Sequence, residues 1–273
     1  LYCTKLEKSK KSREISIIQS EIHQKEILAR QPEPNPFRPK IDTYLRPAIE
    51  SDIAHILQIY NHYINHSHIP EDQDPLTEEG ITFLIKNAKE EKLPVIVAVK
   101  GRVPLQSPCT KSKMKLPQYE HIIGFAFSEV RGYGISGKSN GRSRYTTNMH
   151  VYVHHKFVRK GVGRSLMDRL LQIMSRAWAA RGGYDWLNPD HNPIYETDGA
   201  RRCHQIVIEL PVLGKNDPNY PWIKEFLQKF WFMEESRLKG VGRTSTKESP
   251  GEWLDIVYFQ VDAAHANEFN PWD

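Results

Sequence analysis

Apolar residues recur along this chain at two spacings, one helical and one strand-like, and the two alternate. Ile15, Ile18 and Ile22, continued by Ile27 and Leu28, keep helical spacing in an otherwise polar and basic stretch. That pattern predicts one amphipathic helix over residues 1–30. Such a helix packs on its own domain or docks on a partner or second subunit, and the pattern leaves both open. The closely spaced prolines of 31–39 forbid helix and favour an extended linker. A boundary there separates an N-terminal arm and linker, 1–40, from a single domain, 41–273.

Beyond the boundary, strands and helices take turns. Tyr44–Ala48 reads as a short strand. Ser51 is placed to cap a helix carrying Ile53, Ile56, Leu57, Tyr60 and Tyr63, and Thr77 to cap a second with Ile81, Phe83, Leu84 and Ile85. Pro94–Val99 and Ile122–Phe127 are unbroken apolar runs rich in β-branched residues, the pattern of buried strands. Between them, residues 101–120 carry three prolines and read as an inserted loop or hairpin, and the glycines of 132–141 mark another loop. A strand at Thr147–Val153, a long helix at Arg164–Ala180, a strand at Cys203–Leu210, a helix at Tyr220–Trp231 and a strand at Trp253–Val261 complete the order. A mixed sheet with helices on its faces is expected, an α/β or α+β domain.

The 273 residues include 38 Lys and Arg against 33 Asp and Glu, a net charge of +5 with His neutral. This mild excess suits an anionic small molecule and falls short of a dedicated nucleic-acid binder, so no specific nucleic-acid partner is expected. No apolar run approaches the roughly 20 residues of a membrane span. Cys3, Cys109 and Cys203 form neither a disulfide framework nor a CxxC metal pair. Reduced thiols, no metal site and a cytoplasmic, nuclear or organelle-matrix location are expected, with Cys203 an inert buried thiol. The chain opens on Leu1 and not Met, as a fragment or processed form would.

The sharpest chemical signal is the segment His154-His-Lys-Phe-Val-Arg-Lys-Gly-Val-Gly-Arg164, between a strand and a helix. Gly161 and Gly163 let the backbone come close to a ligand, and the helix that follows offers free amides and the positive end of its dipole. A pyrophosphate fits such a turn. Leu166 at the third glycine position rules out a Rossmann fingerprint, and no Walker Lys-Ser pair follows.

With the strand Val151–Val153 before it, the Arg-Lys-Gly-Val-Gly-Arg turn resembles the acetyl-coenzyme A loop of the GNAT acetyltransferase superfamily. Ile59–Ile64, Pro75–Thr77, Pro94–Val99, Gly240–Arg243 and Gly251–Ile256 follow the order and spacing of its phosphinothricin N-acetyltransferase branch, from about Tyr44 to Val261. The resemblance implies a mixed sheet splayed open near its middle, with acetyl-CoA wedged into the split. Backbone groups along Met149, Val151 and Val153 would bind the pantetheine. Amides of Val158, Arg159, Lys160, Gly161, Val162, Gly163 and Arg164 would hold the pyrophosphate, and Arg159, Lys160 and Arg164 would add charge. Asn219 takes the place of an asparagine that many relatives direct toward the cofactor.

Acetyl transfer to an amine needs a neutral nucleophile and a proton for the departing thiolate. In phosphinothricin-type enzymes a strand glutamate stands where this chain has Asn148. An amide cannot take a proton at neutral pH, so Asn148 can only orient a water or the amine. Strand alternation puts Asn148, His150 and Tyr152 on one face. His150 is the best replacement base of the three, since an unperturbed imidazole titrates at about 6.5; its other reading is a buried, hydrogen-bonded histidine. Tyr152 either hydrogen-bonds near the thioester or belongs to the core. His62 and Tyr60 stand on the helix expected to border the acceptor site, and the segment Phe226–Phe232 lacks the tyrosine acid of many GNAT enzymes.

Arg142 and Arg144 resemble the arginine-containing approach to this strand in relatives that acetylate amino-acid-like carboxylates. The acidic run Glu71–Asp74 attracts a cationic acceptor or is a solvated turn. The expected function is transfer of an acetyl group from acetyl-CoA to a primary amine of a small molecule within a ternary complex. A non-catalytic acetyl-CoA-binding or structural protein of this fold, and a protein or peptide N-acetyltransferase, are the alternatives. A homodimer or partner docking through the arm is left open.

Overall fold

The two unbroken apolar runs become the middle of one sheet. In a computed structural model, the described residues are 35–103, 120–244 and 251–269, save Ser136, Lys138, Asn140, Ala266 and Asn267, together with Gln19. The chain divides into two units, Leu1–Pro36 and Phe37–Asp273. The helix expected over 1–30 and most of the 101–120 insertion lie outside the described residues.

Among the described residues there are eight strands, β1 (Thr43–Pro47), β2 (Val95–Lys100), β3 (Ile122–Val130), β4 (Thr146–Val153), β5 (Asp185–Trp186), β6 (Gln205–Val212), β7 (Met233–Arg243) and β8 (Trp253–Asp262). They lie in the order β5-β1-β2-β3-β4-β6-β8-β7. The helices are α1 (Ile53–His66), α2 (Glu78–Glu90), α3 (Val162–Met174) and α4 (Tyr220–Gln228). This is the mixed α/β architecture that the order of elements predicts. Among the described residues no helix is long and apolar enough to cross a membrane.

Register decides which side chains share a face. β3 and β4 run antiparallel, with Phe125 opposite Tyr152, Phe127 opposite His150 and Glu129 opposite Asn148. These six residues therefore point to the same side of the sheet. Tyr60 of α1 meets the rings of Phe125 and Tyr152 edge-on there. On the opposite side, the direction a side chain would take from Gly124 leads to Leu166 and Val162 of α3.

β4 and β6 are parallel and pair only at Thr146 with Gln205, Thr147 with Ile206 and Asn148 with Val207. Past Asn148 the two strands part, while β4 stays paired with β3 and β6 with β8. The sheet is thus splayed between Met149–Val153 and Ile208–Val212.

Several boundaries differ from the sequence pattern, each for a tertiary reason. α1 begins at Ile53 with Asp52 at its N-cap, and Ser51 lies in a 3-10 turn before it. The Asp52 carboxylate accepts from the Ile49 amide and from both terminal nitrogens of Arg46. Thr77 stands at the N-cap of α2 without a side-chain hydrogen bond, and Phe83 on that helix is 70% exposed.

α3 ends at Met174 instead of running to Ala180. Its buried Asp168 accepts from the Trp178 indole, the amides of Arg181 and Gly182 and the Tyr184 hydroxyl, which draws the chain back across the helix. α4 stops at Gln228, and Trp231 beyond it takes a φ of 66° that no helix tolerates. β6 starts two residues later than expected. β5 and β7 are strands that the pattern does not announce. Cys203 is buried, which pushes its thiol up to about 12 and leaves it unreactive at neutral pH.

A buried charged group anchors the first strand. Arg46 is 1% exposed. Its Nε donates to Glu120 Oε2 at 2.9 Å, and its terminal nitrogens reach Asp52 at 2.7 and 2.8 Å and the Pro47 carbonyl at 2.9 Å. The Tyr44 hydroxyl adds a short bond to Glu120. One cation thus pairs with two carboxylates inside the protein. Arg46→Met should leave both uncompensated and lower the unfolding free energy by about 3–5 kcal/mol; a urea titration at pH 7 reads the loss, and an unchanged midpoint would deny the cluster that role.

Candidate active site

The backbone leaving β4 builds the first half of the site. After Val153 the chain makes a 3-10 turn, His155–Phe157, then turns through Arg159 at φ 59° and Gly161 at φ 91° into α3. Two left-handed residues so close together fold the loop tightly over the helix start. A Cβ on Gly161 would lie 3.1 Å from Pro39 Cα, so glycine is needed there for space as well as conformation. The first intrahelical bond runs from the Ser165 amide to the Gly161 carbonyl. The amides of Val162, Gly163 and Arg164 precede it and have no carbonyl of the helix to meet.

Arg159 is exposed and Lys160 half-buried. The Arg164 guanidinium donates to the Phe37 carbonyl at 3.0 Å and lies over the Phe37 ring. This basic turn stands at the open end of the split between β4 and β6. The Val153 carbonyl already accepts from the Tyr63 hydroxyl at 2.6 Å.

The second half is a cavity of about 520 Å³ on the α1 face of β4. Phe125, Phe127 and Tyr152 form its floor, Tyr60 and α2 its wall, and Glu71, Asp72, Glu129 and His150 its polar end. His150 stacks on Phe127 at 4.6 Å, and its Nε2 lies 3.1 Å from Glu129 Oε1. The Tyr60 hydroxyl donates to Asp72 at 2.7 Å. Burial holds the Tyr152 hydroxyl well above its ordinary range, with the Glu71 charge adding. Desolvation also raises the Glu71 carboxyl; His150 opposes it, and the charges of Glu129, Glu209 and Asp72 add to it.

The structure brings His150, Tyr152 and Tyr60 together around this cavity and leaves other candidates outside its lining. Asn148 is buried beside the cavity, where its Oδ1 accepts from Arg131 at 3.3 Å. Arg131 also reaches Glu209 at 3.1 Å. Arg142 is exposed, and Arg144 lies over the Tyr145 ring; neither lines the cavity. Asn219 is a helix-entry residue whose Oδ1 accepts from the Trp222 indole. His62 does not line the cavity either. It stacks on His155 at 4.1 Å and meets His66 at 4.6 Å, so it joins α1 to the loop after β4.

Glu129 is the functional candidate that the sequence pattern misses. Its signal is its place near the end of a strand, opposite Asn148. Only the register shows that its carboxylate comes beside His150.

No protein-family model and no curated protein matches the sequence. Solved structures do match the fold. The protein yncA from Salmonella typhimurium, solved with its cofactor acetyl-CoA, is 21% identical over 82% of this chain and 96% of its own, with a TM-score of 0.55. A GNAT superfamily phosphinothricin acetyltransferase from Sinorhizobium meliloti, in complex with acetyl-CoA, is 15% identical over 85% of this chain and 94% of its own, with a TM-score of 0.55. A ribosomal-protein-alanine N-acetyltransferase from Brucella melitensis is 19% identical over 80% and 98%, with a TM-score of 0.52. At these identities the likeness establishes the fold, that of the GNAT acetyltransferases.

The histidines beside the loop make a pH dependence. Burial, and then neighbouring cationic groups, lower His62, His121 and His154 below their ordinary 6.5. Below that value the unfolded chain binds protons that the folded one refuses, so stability is lost as pH falls from 7 toward 5. His62→Gln should flatten that decline in a series of urea midpoints. A slope equal to the parent's would show that His62 carries none of it.

Proposed function

We propose that this protein is an N-acetyltransferase that passes the acetyl group of acetyl-CoA directly to a primary amine of a small molecule. The observation that carries the reading is the split between β4 and β6, with a basic, amide-rich helix start at its open end and a cavity holding a histidine on the other face of β4.

Acetyl-CoA supplies the activated thioester. The backbone groups of Met149 and Val151, and of Glu209 with the Pro211 carbonyl, face the split without a strand partner and suit the amides of its pantetheine, as a neighbouring strand would. The free amides of Val162, Gly163 and Arg164 suit its diphosphate, and Arg159 and Lys160 add charge. Arg164 contributes its amide here, its guanidinium being held by Phe37.

In this reading His150 takes the proton that the amine must lose. A carboxylate only accepts hydrogen bonds, so with Glu129 facing Nε2 the neutral imidazole carries its hydrogen on Nε2 and its basic lone pair on Nδ1. Glu129 then stabilises the imidazolium that forms. Tyr152, kept protonated by burial, can donate a hydrogen bond to the departing thiolate, and the proton taken up by His150 is the one that ends on the thiol. Asn148 moves no proton; its carbonyl oxygen serves Arg131.

Arg159→Asn tests the cosubstrate end, because asparagine tolerates the left-handed conformation and removes only the charge. Calorimetry should show acetyl-CoA bound roughly tenfold more weakly, with melting unchanged. His150→Gln should slow acetyl transfer by about 10²–10⁴-fold with acetyl-CoA affinity intact. A parent that does not bind acetyl-CoA, or a His150→Gln variant with the parental rate, would overturn the assignment.

A further inference from the structure

The cavity is chemically lopsided. Its polar end gathers the carboxylates of Glu71, Asp72 and Glu129, and the ligand atoms of Glu71, Glu129 and His150 lie within 4.8 Å of one another. No Lys or Arg stands among its described lining residues. Asp72 is engaged by the Tyr60 hydroxyl, and Glu129 by His150. Glu71, which is exposed, has its carboxyl raised first by desolvation and then by the charges of Glu129, Glu209 and Asp72, against the opposing His150. Behind this end the wall is apolar, formed by Leu76, Ile81, Leu84 and Leu93 over the rings of Phe125 and Phe127.

From this we infer that the acceptor is a primary amine carried on an apolar body, with no carboxylate beside the amine. The inference rests on reading the cavity as the acceptor's side of acetyl transfer. An aliphatic amine arrives as the ammonium, its pKa being about 10, and a monovalent cation between Glu71 and Glu129 relieves their mutual repulsion. The volume of about 520 Å³ suits a ligand of that size. An amino acid presents its carboxylate within two bonds of the nitrogen, so it would meet like charges with no guanidinium to answer them; Arg142 and Arg144 lie outside the lining. A second ammonium at the far end of a diamine would be stripped of water against leucines and phenylalanines.

Calorimetry of the full chain without cosubstrate tests this with 2-phenylethylamine, phenylalanine, phenylalaninamide and pentane-1,5-diamine. Phenylethylamine should bind tightest, roughly 100-fold more tightly than phenylalanine, with phenylalaninamide between them because its carboxylate is masked. Glu71→Gln should narrow the gap between phenylethylamine and phenylalanine by about tenfold. Equal binding of phenylalanine, tightest binding of the diamine, or a gap unchanged in Glu71→Gln would each overturn the inference. So would binding that is abolished by EDTA and restored by Zn²⁺, which would make the cluster a metal site. Because heat of binding is read without cosubstrate, a parent that fails to bind acetyl-CoA overturns the acetyltransferase reading while the preference of the cavity is still measured.

Discussion

Three residue pairs hold the two halves of the sheet together. If the ladder of Thr146–Asn148 with Gln205–Val207 continued, the backbone groups of β4 and β6 would satisfy one another and the sheet would close. It stops where Arg131 sits, 3.3 Å from Asn148 on β4 and 3.1 Å from Glu209 on β6, with its guanidinium over the Tyr258 ring of β8. That single side chain touches three strands where two of them part. It also gives a physical reason for an amide at position 148. An asparagine accepts from the shared guanidinium without setting a second carboxylate beside Glu209.

Helices on the two faces put the halves of the site on opposite sides of β4. α3 brings its amino end to the open split, while α1 and α2 roof the cavity over the other face. The strand between them is one layer thick, so its alternation divides the labour. His150 and Tyr152 face the cavity, and the backbone groups of Met149 and Val151, which alternate with them, face the split. Tyr63 and His62 extend from α1 to the end of β4 and the loop beyond it, so the two sides are mechanically joined.

Much of this was legible in the sequence because it depends on local pattern. The apolar runs of β2 and β3, the alternation of β4 and the glycine-bearing turn into α3 are each written in consecutive residues. What was not legible depends on contacts between distant residues. β7 reads Met-Glu-Glu-Ser-Arg-Leu-Lys-Gly-Val-Gly-Arg and is mostly exposed, so it has no apolar period to announce it and exists through pairing with β8. The end of α3 is set by Asp168, whose partners come from residues 178–184. Glu129 comes beside His150 only because the register brings it there, and Arg142 and Arg144 fall outside the cavity although they precede the strand that floors it.

The ends of the sheet bear on how the protein behaves in crowded solution. A strand edge is a template for any passing chain, and hazard grows with its length and flatness. At one end β5 is two residues long. At the other, β7 is long, but its register against β8 shifts between Glu234 and Ser236 and again between Leu238 and Gly242, and Arg237, Lys239 and Arg243 punctuate it. A rim so short on one side, and so broken and charged on the other, offers little that another copy could extend. The open surface this sheet does possess lies in its interior, between β4 and β6, where only a slender, strand-like molecule can reach it.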